Sequence, residues 1–81
     1  MTREEIVNAL RSMMKNTSQA PVNWDAVTEE STIASLGFDS LSILDLIYDV
    51  QQEFKLEFDA EELTQVKTVG ALTTFLIEKG A

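Results

Sequence analysis

Apolar residues recur at helical spacing in three stretches of the chain, and a fourth, shorter element is marked by its start signal. Ile6, Val7, Leu10, Met13 and Met14 fall at i, i+1, i+4, i+7 and i+8, which is one stripe of an α-helix. Thr2-Arg3-Glu4-Glu5 precedes the stripe with Thr at the cap and Glu three positions on, the form of a capping box. Lys15 suits the negative end of the helix dipole, and Asn16 can close the helix. From Ser40 to Phe54 there is no Gly or Pro, and Asp39 is a good N-cap. At 100° per residue, Ile43, Leu46, Ile47, Val50 and Phe54 gather on one face, the predicted core face of this second helix. Asp59-Ala60-Glu61-Glu62 repeats the cap pattern and predicts a short third helix ending near Val66. Thr68 caps a fourth, with Val69, Leu72, Phe75 and Leu76 at helical spacing and Lys79-Gly80 closing it.

Residues 16–38 carry no such period. Asn16-Thr17-Ser18-Gln19 is polar, Pro21 breaks helix, and the long connection needs anchors in the core. Val22, Trp24, Val27, Ile33 and Leu36 are the expected anchors, with Trp24 read as packing rather than as a binding aromatic. Connections between the second, third and fourth helices are short. The predicted architecture is therefore all-α, a four-helix bundle with a long first loop and a short third helix, spanning residues 1–81 as one domain.

Composition narrows the chemistry. Among 81 residues there is no Cys and no His, which removes disulfides, thiolate nucleophiles, imidazole bases and zinc–sulfur sites. The formal net charge of −8 disfavours binding to nucleic acid, because every phosphate would be repelled. No apolar run suits a membrane span or a signal peptide, so a cytoplasmic monomer is expected. Calcium loops and Gly-rich phosphate loops are absent, and the carboxylate pairs lack surrounding segments that would build a cleft. The chain is expected not to be an enzyme and to hold no metal.

The distribution of charge says more than its total. Residues 39–62 contain eight of the fourteen acids and a single base, Lys55. On the second helix, Leu41 and Tyr48 point away from the core face, Leu44 flanks them, and Asp45 and Asp49 lie alongside. An apolar island edged with carboxylates suits docking to a basic partner, with the apolar part for affinity and the charge for steering. The alternative is that the long loop covers Leu41 and Leu44, and for Leu44 the two readings stand level.

One stretch carries a recognisable signature. Leu36-Gly37-Phe38-Asp39-Ser40-Leu41 resembles the L-G-x-D-S-L motif of acyl carrier proteins, whose serine bears a 4′-phosphopantetheine arm. The likeness covers nearly the whole chain: the capped first helix, the long loop, the acidic second helix ending in Glu53-Phe54, the Asp59-x-Glu61-Glu62 start and Thr68-Val69. The resemblance implies that Ser40 is the attachment site for 4′-phosphopantetheine drawn from coenzyme A. It also implies that Asp39 supports transfer by helping the phosphopantetheinyl transferase hold its metal. A thiol-free chain needs such an imported thiol to form thioesters. The partners implied are that transferase and acyl-transferring and chain-elongating enzymes with basic docking surfaces, reached through Leu41, Leu44, Asp45, Tyr48 and Asp49. Carriers of this kind can also shelter an acyl chain between the second and third helices.

The departures point to a specialised member. Ser42, Gln51 and Gln52 stand where the family often has carboxylates, Tyr48 replaces a smaller or thioether side chain, and the 16–38 loop is a few residues longer than in compact members. These features favour polyketide-type biosynthesis over bulk fatty-acid synthesis. Two alternatives remain open at this level: a peptidyl, aryl or D-alanyl carrier, against which Asp39 argues, and an acidic helical adaptor without a prosthetic group.

Overall fold

Capping chemistry and apolar periodicity act as expected in the first helix. A computed structural model describes residues 2–18 and 20–81, so the readings at Met1 and Gln19 lie outside the described residues. The three α-helices are α1 (Arg3–Thr17), α2 (Ser42–Phe54) and α3 (Val69–Glu78). Three 3₁₀ turns, Trp24–Ala26, Ala34–Leu36 and Ala60–Leu63, punctuate the connections. At the start of α1 the Thr2 hydroxyl accepts from the Glu5 N–H at 3.2 Å, and the Glu5 carboxylate accepts from the Thr2 N–H at 2.8 Å. The helix runs one residue past Asn16, and the Ser18 N–H closes it on the Met14 carbonyl at 2.8 Å.

Ile6, Leu10 and Met14 of α1 meet Leu46 and Val50 of α2 and Val69, Leu72 and Leu76 of α3 in one buried core. Met13, Ile43, Phe54 and Phe75 pack against its edges, half-buried. Thr73 is fully buried but not orphaned, since its hydroxyl donates to the Val69 carbonyl at 2.9 Å.

The long loop is tied down from several directions. Val27, Ile33 and Leu36 are buried, while Val22 and Trp24 are half-buried against the core, so all five expected anchors pack inward. The loop also caps α3. Val69 and Gly70 donate N–H groups to the carbonyls of Ser31 (3.0 Å) and Glu29 (2.8 Å), and the Thr68 hydroxyl accepts from the Ala71 N–H at 3.0 Å. An isolated antiparallel bridge, Thr32 to Thr68, and the Ile33 N–H on the Lys67 carbonyl at 2.9 Å extend this seam. Arg3 reaches from α1 to the Glu29 carboxylate, the Gly70 carbonyl and the Thr74 hydroxyl. These bonds satisfy backbone groups that a buried loop would otherwise leave unpaired.

Two boundaries differ from the sequence reading. Regular α2 starts at Ser42 rather than Ser40, because Asp39 to Leu41 form a turn that feeds the helix. The predicted third helix is a single 3₁₀ turn that ends at Leu63, three residues before Val66. Its start is still held reciprocally, with the Asp59 N–H on the Glu62 carboxylate and the Glu62 N–H on the Asp59 carbonyl, each at 3.0 Å. Regular helix stops after this turn even though Leu63 and, three residues on, Val66 both pack against the core.

Candidate functional site at the start of the second α-helix

The residues 36–41 alternate between anchoring and presentation. Leu36 and Phe38 are buried, and between them Gly37 takes a left-handed conformation at φ 93° that turns the chain out of the core. The Ser18 hydroxyl donates to the Leu36 carbonyl at 2.7 Å and accepts from the Ala20 N–H at 3.1 Å, fastening the loop against the same turn. Two buried side chains thus fix the backbone from which Asp39, Ser40 and Leu41 project.

Asp39 does the work of an N-cap. Its Oδ1 accepts from the Leu41 and Ser42 N–H groups at 2.9 and 2.8 Å and from the Ser42 hydroxyl at 3.1 Å. The Ser42 hydroxyl in turn accepts from the Asp39 N–H at 2.9 Å. The Ser42 N–H, then the Leu41 N–H and the Ser42 hydroxyl, hold the Asp39 carboxyl below the usual aspartate pKa. Oδ2 has no hydrogen-bond partner among the described residues. Ser40 is exposed, and no hydrogen bond engages its hydroxyl among the described residues. Its hydroxyl is accessible, and no described base is hydrogen-bonded to it.

Beside Ser40 opens a cavity of about 670 Å³. Asp39, Ser40 and Ile43 stand at α2, with Ile47 and Val50 farther along the helix; Ile33, Phe38, Leu63, Val66 and Leu72 close the other sides. Its lining is mainly apolar. Thr32, Thr64 and Lys67 are the polar exceptions besides Asp39 and Ser40. The cavity thus lies between α2 and the Ala60–Leu63 turn, the region where the family resemblance places a sheltered chain. Lys67 was not marked by any local pattern, because a long-range pairing with Ile33 brings it to the cavity. A lone lysine before a helix cap carries no signal of its own.

The outward face of α2 is as predicted. Leu41 is 76% exposed, Tyr48 62% and Leu44 50%, so the long loop covers none of them. Leu44 is shared, since it also lines the cavity. Asp45 and Asp49 are exposed alongside. The Asp49 carboxylate accepts a hydrogen bond from the Thr17 hydroxyl at 3.3 Å, which ties it loosely to the end of α1. Ser40 directly precedes this exposed face in the chain. Among the described residues no group of acids forms a metal site, and no helix is long and apolar enough to cross a membrane.

The comparisons with known proteins agree with this geometry. A family model described as the phosphopantetheine attachment site matches residues 6–76. The acyl carrier protein of Thermotoga maritima is 34% identical over 79 residues, 96% of this chain and 95% of that protein. That of Coprothermobacter proteolyticus is 40% identical over 70 residues, 85% of this chain and 83% of that protein. Among solved structures, the Thermotoga maritima acyl carrier protein superposes with a TM-score of 0.79 at 27% identity, covering 95% of this chain and 88% of that chain. The Enterococcus faecalis acyl carrier protein gives a TM-score of 0.78 at 27% identity, covering 99% of this chain and all of that one.

Proposed function

The chain belongs to the phosphopantetheine-attachment family of acyl carrier proteins, non-catalytic carriers of a covalent 4′-phosphopantetheine, and we propose that it bears the arm on Ser40 and serves a specialised, polyketide-type pathway. The observation that carries the site assignment is the exposed, unengaged Ser40 hydroxyl beside an apolar cavity and the docking face of α2. The arm supplies the thiol that the sequence lacks. During its attachment Ser40 Oγ would form the bond to the phosphopantetheine phosphorus as the coenzyme A pyrophosphate bond breaks, adenosine 3′,5′-bisphosphate leaving and the Ser40 proton passing to the transferase or solvent. Asp39 Oδ1 is committed to the helix start, which leaves Oδ2 for a metal brought by the transferase.

The cavity then receives the apolar part of the cargo, shielding it from water, while Leu41, Leu44 and Tyr48 offer apolar contact and Asp45 and Asp49 steer basic enzymes. Support for a specialised pathway is the makeup of α2. Ser42 is used internally to brace Asp39, Gln51 donates to the Phe58 carbonyl, and Tyr48 adds an exposed ring, so this face carries fewer charges and more apolar area. Incubation with coenzyme A and a broad phosphopantetheinyl transferase, followed by intact mass, tests the assignment. Wild type should gain one phosphopantetheine and Ser40→Ala none; modification of the Ser40→Ala protein would overturn it.

A further inference from the structure

We infer that Lys67 is the counter-charge for the phosphodiester of the arm on Ser40. This rests on the reading of Ser40 as the attachment site and adds a residue outside the signature.

Electrostatics poses the problem. Attachment places a permanent negative charge one residue from the Asp39 carboxylate, in a segment, residues 39–62, where Lys55 is the single base. A helix start usually relieves such a charge through its free N–H groups. Here that relief is largely spent, because Asp39 Oδ1 takes the Leu41 and Ser42 N–H groups and the Asp39 carbonyl takes that of Ile43 at 3.1 Å. A second anion at this end of α2 therefore needs a cation from elsewhere in the fold.

Lys67 meets the requirement. It is the one basic residue that lines the cavity onto which Ser40 opens, among the described residues. Its backbone is not free to drift: the carbonyl accepts from the Ile33 N–H at 2.9 Å, and the adjoining Thr68 bridges to Thr32. Its side chain is exposed and makes no ion pair or hydrogen bond with a described residue, whereas Arg3 is committed to Glu29, Arg11 to the Val27 carbonyl, and Lys79 to Glu62. Lys55 borders a different concavity at the far end of α2, and Lys15 lies on α1 near its carboxyl end. A lysine on a flexible four-carbon stem suits a phosphodiester, which asks for charge rather than for a fixed bidentate geometry.

A thermodynamic cycle separates pairing with the arm from any structural role of Lys67. Wild type, Lys67→Gln, Lys67→Arg and Lys15→Gln are each melted before and after attachment of the arm, with its thiol free and intact mass confirming the modification. A purely structural contribution of Lys67 appears equally in both forms and cancels. In low salt, attachment should lower the melting temperature of Lys67→Gln by about 1–4 °C more than that of wild type, the scale of an exposed ion pair in so small a domain. Lys67→Arg and Lys15→Gln should follow wild type, and the excess should fade in about 0.5 M NaCl. The Lys67 Cε resonance should move on attachment while that of Lys15 stays. With a free thiol there is no cargo carboxylate, so the effect reports the phosphodiester alone. Equal changes in all four proteins, or an unmoved Lys67 resonance, would overturn the inference while leaving Ser40 as the site. Absence of the mass gain in wild type would overturn both.

Discussion

Gly37 is the hinge on which presentation of Ser40 depends, and replacing it with alanine should be costly for two separable reasons. Its φ of 93° lies in the left-handed region, so any side chain there is strained by about 1–3 kcal/mol. A Cβ at this position would also stand 2.6 Å from the Ala20 Cβ and 2.7 Å from the Ser18 Oγ, inside normal contact distance. Relieving that overlap should cost about 1–3 kcal/mol more, since the Ser18 hydroxyl is already engaged with the Leu36 carbonyl. The smaller entropy of the unfolded alanine chain offsets about 0.4–1 kcal/mol. The net loss is about 1–5 kcal/mol, and at its middle value of about 3 kcal/mol the melting temperature falls by about 12–24 °C for a domain of this size. Urea unfolding followed through Trp24, the single tryptophan and half-buried against the core, measures it directly. Adding Ala20→Gly removes the 2.6 Å overlap and should restore about 1 kcal/mol, leaving the contact with Ser18 Oγ and the backbone strain in place. A loss below about 0.5 kcal/mol for Gly37→Ala, the range of ordinary surface substitutions, would refute the account of how the 36–41 stretch is held.

Three further outcomes are expected. Asp45→Lys should slow association with a basic partner enzyme, by a factor that shrinks as salt screens charge over roughly 8–10 Å, whereas Leu41→Ala should speed dissociation with little salt dependence; stopped-flow binding at two ionic strengths distinguishes them. Both variants should stay within about 0.5 kcal/mol of wild-type stability, because Leu41 and Asp45 are exposed. Loading the arm with a medium-length acyl chain should raise the melting temperature, because cargo held in the cavity stabilises only the folded state; a midpoint indifferent to chain length would show the cargo in solvent. The Asp39 carboxyl has its pKa lowered in the fold by the Ser42 and Leu41 N–H groups, so its contribution is complete above the unfolded aspartate pKa and vanishes as pH falls through the lower folded value. The stability gap between wild type and Asp39→Ala should therefore be flat near neutrality and narrow in acid, and a gap unchanged from neutrality to below both values would contradict the charge-assisted capping role.

The α-helices and their capping interactions were legible in the chain itself, though α2 becomes regular two residues later than its cap signals, because the forces that define them act within one or two turns. Thr2 with Glu5, Asp39 with Leu41 and Ser42, and Thr68 with Ala71 each pair a side chain with backbone no more than three residues away. The 3.6-residue repeat likewise named the buried faces, down to Leu46, Ile47 and Val50 inside and Leu41 and Tyr48 outside. Lengths were less secure. The turn Ala60–Leu63 has a helix's start signal but does not run on to Val66, although Val66 also packs against the core, and tertiary packing decides how far a weak helix extends. The cavity and Lys67 belong to the fold alone. Segments 32–34, 43–50 and 63–67 meet around the cavity that Ser40 borders, through pairings such as Ile33 with Lys67. No local pattern announces them, because each depends on a loop closed over tens of residues whose closure only the shared core rewards.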